Sequence, residues 1–178
     1  MCPSYRRAST VWFLVLASAC ATPASACATP ASPTEVPDSA AAEAAGGASD
    51  IAGPIVQITN AERVNTGLPA LRTSSRLMEA AQLHAEQMAR LGRLEHVLSG
   101  GQYPKPEDRL AAADYQWSSY AENIAMGQTS AARVMDSWMH SSGHRANILS
   151  PNNTEIGIGF ARDSAGRPYY VQVFGKPR

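Results

Sequence analysis

Apolar positions fall at helical spacing through most of the chain and begin to alternate only near its C-terminus. Ile51, Ile55 and Ile58 are four and three residues apart. They form one stripe of a helix running to about Asn65, where Gly67 and Pro69 stop it. Leu77, Ala81, His84, Met88 and Leu91 make the clearest stripe, with Ser74 or Ser75 as the cap and Gly92 as the exit. Residues 99–106 carry two glycines and two prolines and read as a loop, and the segment from Pro106 to Ala113 fits a short helix. Ala131, Val134, Met135 and Trp138 mark another amphipathic helix, ended by Ser141-Ser-Gly143. Ile156, Ile158 and Phe160 then alternate with Gly157, Gly159 and Ala161. Beyond Asp163-Ser-Ala-Gly166 the alternation returns in Tyr169, Val171 and Val173 against Tyr170, Gln172 and Phe174. That pattern predicts a β-hairpin, and a third strand fits Ser118–Ala125. Helices first and hairpin last predict an α+β fold with an antiparallel sheet.

The first fifty residues differ in kind. Arg6 and Arg7 precede the apolar run Val11–Ala17, which ends in small residues before Cys20. A basic start, a short apolar centre and a small-residue exit describe a secretory signal over residues 1–19, far too short to span a bilayer permanently. Two processing readings fit. Leu16-Ala17-Ser18-Ala19-Cys20 has the form of a bacterial lipobox, with Cys20 as the lipidated first mature residue. Ordinary cleavage after Ala17-Ser-Ala19 or Ala24-Ser-Ala26 is the alternative. Either predicts an extracytoplasmic protein, secreted or held at a membrane only by an N-terminal lipid. Residues 19–25 are repeated at 26–32, so Cys27 reads as a copy of Cys20. The Ala- and Pro-rich stretch 20–52 lacks the means to build a core and is expected to be a disordered tether, with the folded domain over residues 53–178.

Composition then removes several functions. All three cysteines lie in the first 27 residues, so the domain holds no disulfide framework, cysteine zinc site or cysteine nucleophile. Fifteen basic residues balance fifteen acidic ones, and the domain itself has thirteen against eleven. With no basic run and no aromatic stacking platform, nucleic acid is not an expected partner. Asn152-Asn-Thr154 matches a glycosylation sequon, though a turn before a strand explains it equally well.

Four histidines can be taken in turn. His84 sits on an apolar helical stripe and is expected to be a buried core residue, apart from any metal site. His96, in Leu94-Glu-His-Val97, precedes the Gly-rich loop and is free to face a cleft. His144, in Ser142-Gly-His-Arg-Ala-Asn-Ile-Leu149, follows a helix terminus. Glu122, in Tyr120-Ala-Glu-Asn-Ile-Ala125, is an acid among apolar residues and needs a partner; histidine is the economical one. His140 suits a solvated helix C-terminus.

In this order the motifs resemble the CAP superfamily of cysteine-rich secretory proteins, venom antigens and pathogenesis-related proteins. The resemblance starts at Asn60-Ala-Glu-Arg63 and Gly67-Leu-Pro-Ala-Leu71, then Ala81-Gln-Leu-His-Ala85 and His96. It continues through Ala121-Glu-Asn-Ile124, Trp138 and Gly143-His-Arg-Ala-Asn-Ile-Leu149 to Thr154-Glu-Ile-Gly-Ile-Gly159. It implies an α-β-α sandwich, with a cleft of two histidines and two acids that takes divalent metal in some members. His96, Glu122 and His144 occupy three of those positions. The fourth departs from the pattern: after Trp138 no glutamate follows, only His140 or Ser141, and Glu155 belongs to the strand motif. The cysteine-free bacterial branch is the better comparison.

Two imidazoles and a carboxylate suit Zn2+ or another divalent metal, with water completing the site; the same trio could be a hydrogen-bond network. Three functions follow. The first is a module binding an extracellular or envelope ligand. The second is a metal-dependent, protease-like hydrolase, with His96, Glu122 and His144 as candidate catalytic residues. The third is a lipid or sterol carrier. Neither His-Glu-x-x-His nor Gly-x-Ser-x-Gly occurs, and Ser142 is a nucleophile candidate only by nearness to His144 in sequence. The resemblance fixes the fold better than the function, and the absence of those motifs favours the binding module.

Overall fold

The computed structural model describes residues 39–178, in the order α1 (Ser39–Asn65), β1 (Arg72–Thr73), α2 (Ser75–Leu91), α3 (Pro106–Ala112), β2 (Trp117–Met126), α4 (Ala131–Met139), α5 (Ser142–Ile148), β3 (Glu155–Arg162) and β4 (Pro168–Pro177). The signal segment, Cys20, Cys27 and the first part of the expected tether lie outside the described residues. Helix α1 begins within that tether, whose alanines favour helix although Gly46, Gly47 and Pro54 do not. Ala52 is already a core residue and Ile51 packs partly against the same core, so packed residues begin just before the expected boundary at 53.

The four strands lie in the order β1-β3-β4-β2. The expected hairpin is β3–β4, which pairs Ile158 with Gln172, and the third strand is β2, antiparallel to β4 along its length. One strand escapes an all-antiparallel expectation: β1 adds two residues in parallel to β3, matching Arg72 to Glu155. So short and exposed a strand leaves no apolar period in the sequence.

Helices cover both faces, giving the α-β-α sandwich. On one side Ile55, Val134, Met135 and Trp138 pack with Ile156, Ile158, Phe160, Tyr170 and Phe174. On the other, Leu77, Ala81, Ala85, Met88 and Leu110 pack with Ile124, Tyr169, Val171 and Val173. The glycines of β3 have a steric reason. A Cβ on Gly157 would collide with the backbone of Leu77, and one on Gly159 with that of Ala81, so α2 lies directly against the strand. Beyond Trp138 the chain departs from expectation. Helix α4 stops at Met139 with His140 as its cap, and Ser142-Gly-His144 opens a further helix, α5, instead of ending one.

Candidate functional site

Strand β2 is an edge strand, and its alternation sends consecutive side chains to opposite layers. Glu122 and Ile124 face α2 and α3, whereas Asn123 and Ala125 face the α1/α4 layer. The Glu122 side chain is 5% exposed and carries a dense set of partners. His96 Nδ1 donates to Oε1 at 2.8 Å. Arg109 Nη2 donates to Oε2 at 3.1 Å and to Oε1 at 3.3 Å. Burial alone would raise the Glu122 pKa, but the His96 hydrogen bond, the neighbouring His84 and the Arg109 guanidinium outweigh it and hold the carboxyl below its ordinary range.

The carboxylate's permanent cation is therefore Arg109, not a histidine alone. Arg109 is 1% exposed and spends its other donors on backbone: Nη1 reaches the Tyr103 and Pro104 carbonyls at 3.2 Å, and Nη2 reaches that of His96 at 3.0 Å. One guanidinium thus neutralises Glu122 and pins the loop that presents His96. Sequence reasoning passed over Arg109. Its only trace there is a cation sharing a seven-residue helix with Leu110, a buried apolar residue.

The histidines divide by role. His96 is half-exposed and leaves Nε2 free, because donating to Glu122 fixes the proton on Nδ1. His84 is fully buried, as its stripe requires, but it is not remote from the site: Nε2 stands 3.6 Å from Glu122 Oε1. That is too long for a hydrogen bond, and among the described residues neither ring nitrogen of His84 has a hydrogen-bond partner. Burial pushes its pKa down to about 4, helped by Arg109 and His96 and opposed by Glu122, so the ring is neutral at pH 7. His144, on the first turn of α5, is partly exposed and near enough to His96 for the two charges to interact; burial first, then His96, lowers its pKa. His140 turns to Asp136 and is largely exposed, so it does not join them. Glu155 binds Arg72 and Tyr115 instead. Asn152 is exposed in the turn before β3, while its neighbour Asn153 is buried and ties Asn147.

Of the expected trio, His96 and Glu122 are hydrogen-bonded, and among the described residues no hydrogen bond or ion pair ties the His144 ring to either. A three-ligand metal set does not assemble: among the described residues no three His, Cys, Asp or Glu side chains are placed to hold one ion. Both Glu122 oxygens are engaged by Arg109 and His96, which leaves imidazoles as the free donors at this face. No hydrogen bond joins Ser142 to His144.

Residues 56–174 match the cysteine-rich secretory protein (CAP) family. The chain is 34% identical over 122 residues to the uncharacterized protein YkwD of Bacillus subtilis (strain 168), covering 68% of this chain and 46% of that one. It is 31% identical to the uncharacterized membrane protein YlbC of the same organism over 68% of this chain and 33% of the other. It therefore spans less than half the length of these curated relatives. Among solved structures, an extracellular SCP-domain protein of Bacillus anthracis matches at TM-score 0.65 and 24% identity, over 82% of this chain and 45% of that one. An outer surface protein of Borrelia burgdorferi matches at TM-score 0.63 and 21% identity, over 70% of this chain and 90% of that one. Those two share the fold, and the extent of the family match settles kinship: this chain belongs to the CAP, or cysteine-rich secretory protein, family.

Proposed function

We propose that this CAP domain is an extracytoplasmic ligand- or partner-binding module, not a hydrolase, and that the His96–His144 face is its contact surface. The observation that carries the reading is the state of Glu122. Buried to 5% exposure, ionised and with both oxygens held by Arg109 and His96, it is poorly placed to take a proton from water or attack a carbonyl. It is a positioning group: it fixes His96 so that Nε2 faces outward as an acceptor. The signal-like N-terminus supports the extracytoplasmic setting, as do an extracellular and an outer-surface protein among the structural relatives. The test is turnover of fluorescein-labelled casein by the full chain and by His96→Ala. No turnover in either agrees with a module; turnover that His96→Ala abolishes while folding survives would make it a hydrolase.

A second reading, weak divalent-metal binding, is favoured by one feature. A carboxylate that accepts from one imidazole nitrogen orients the other toward a metal. Here Zn2+ would meet His96 and His144, with Glu122 behind His96. Zinc calorimetry should then show modest affinity at neutral pH, lost by His144→Ala and at mildly acidic pH, where protonated imidazole cannot bind. Heat that ignores both changes would remove the metal reading. Lipid carriage has a different place to act, an open groove of about 660 Å³ on α4 and α5 that includes Met139 and Leu149. Arg145 and His140 line it as well, so it is no purely apolar channel.

A further inference from the structure

Glu122 holds His96 on one face of β2, and the next residue does something parallel on the other. Asn123 is fully buried. Its Nδ2 donates to the His144 carbonyl at 3.1 Å and to Gln172 Oε1 at 3.0 Å, and its Oδ1 accepts from Asn147 Nδ2 at 2.9 Å. Gln172 Nε2 donates onward to Thr59 Oγ1 at 2.8 Å, which fixes the end of the Asn123 amide that donates. Asn147 Nδ2 also reaches the Glu122 carbonyl at 3.3 Å. These ties matter because α5 has little else. It has seven residues, no side-chain cap bond at Ser141 and only Ile148 buried. A helix so short has no stability of its own, and its apolar anchors, buried Ile148 and half-buried Leu149, both sit at its C-terminal end. Arg63 holds the far end through the Ile148 and Ser150 carbonyls, each at 2.8 Å, and leaves the turn carrying His144 to Asn123.

We propose that Asn123, acting through the His144 carbonyl and the Asn147 amide, is the positioning residue that sets where His144 stands at the contact surface. The inference deepens the reading of that surface as the binding face, but the placement of His144 is measurable whether or not a ligand binds.

The test uses the 15N-labelled full chain with Asn123→Ala and Asn147→Ala; the second is only partly buried and keeps the question open if the first does not fold. Val171→Ala, on the opposite face, is the control for a general loss of stability. The expected result has three parts. The His144 ring resonances move in both Asn variants, the His96 ring stays in place, and amide exchange across residues 145–149 rises roughly tenfold, the effect of one lost hydrogen bond, while α2 is unchanged. A His144 ring that stays in place, or exchange that rises equally in α2 and α5 as in Val171→Ala, would overturn the positioning role. Zinc titration of the wild type keeps the two ideas apart. Absent zinc binding with a moved His144 in the variants counts against the metal reading alone, and bound zinc with an unmoved His144 counts against Asn123 alone.

Discussion

Around Glu122, one fixed cation and two imidazoles share a carboxylate that water barely reaches. Such a pairing costs most when one member is removed, since the other is left charged and buried. Glu122→Gln strands the Arg109 guanidinium, 1% exposed, and should lower unfolding stability by about 3 kcal/mol in urea titration. A loss under about 1 kcal/mol would mean that Arg109 finds other company. His84 adds a pH dependence. Its folded pKa, about 4, lies below its ordinary 6.5, so the unfolded chain binds more protons between those values. Stability is therefore full above pH 6.5 and lost as pH falls toward 4, by about 2 kcal/mol between pH 7 and pH 5. The Glu122 contribution points the same way but acts lower, as pH falls below the usual carboxylate range. His84→Leu should flatten the slope between pH 7 and pH 5; an unchanged slope would place the proton uptake elsewhere. His84 also shows what periodicity cannot say. The stripe correctly buries it, but no one-dimensional pattern reveals which strand residue stands 3.6 Å from its ring.

Elements were legible where a period ran long enough. Helix α2 buries its stripe from Leu77 to Met88, with Ser74 as its N-cap residue and Gly92 in the left-handed conformation at the exit, φ 64°, though Leu91, the last stripe position, is exposed. The hairpin follows from alternation over residues 156–161 and 169–174, which lie inside strands of eight and ten residues. Strand β1 has only two residues to show, and α5 hides behind Ser141-Ser-Gly143, a string of helix-ending residues that here begins a helix. Arg109 was missed for a related reason: on a short helix beside a loop, a basic residue normally faces water, and only the fold turns it inward. The glycines of β3 were visible as an alternation, and the structure supplies the cause. Gly159→Ala would force α2 off the strand, since the new methyl meets Ala81 backbone and not a flexible side chain. Thermal unfolding should show a loss of about 1–3 kcal/mol, the usual range for overpacking. A neutral outcome would mean that α2 can slide.

For the whole molecule, the sandwich places an edge strand between two helical layers and uses its alternation twice. One side chain reaches into the α2/α3 layer and orients His96 through its ring; the next reaches into the other layer and holds His144 by its backbone. The two imidazoles thus come to one surface from elements that share no sequence neighbourhood. That explains why ordered motifs were needed to connect them: residues 96, 122 and 144 are linked by topology, not by spacing. Both supports are interior, while His96 is half-exposed and His144 partly so. Glu122 is a fixed acceptor for His96, and long-range 1H–15N correlation spectra of the histidine rings at neutral pH, in wild type and Glu122→Gln, read that role. His96 is expected in the Nδ1–H tautomer, with a downfield, slowly exchanging ring proton that Glu122→Gln abolishes. A His96 in the Nε2–H tautomer, or one indifferent to Glu122→Gln, would contradict it.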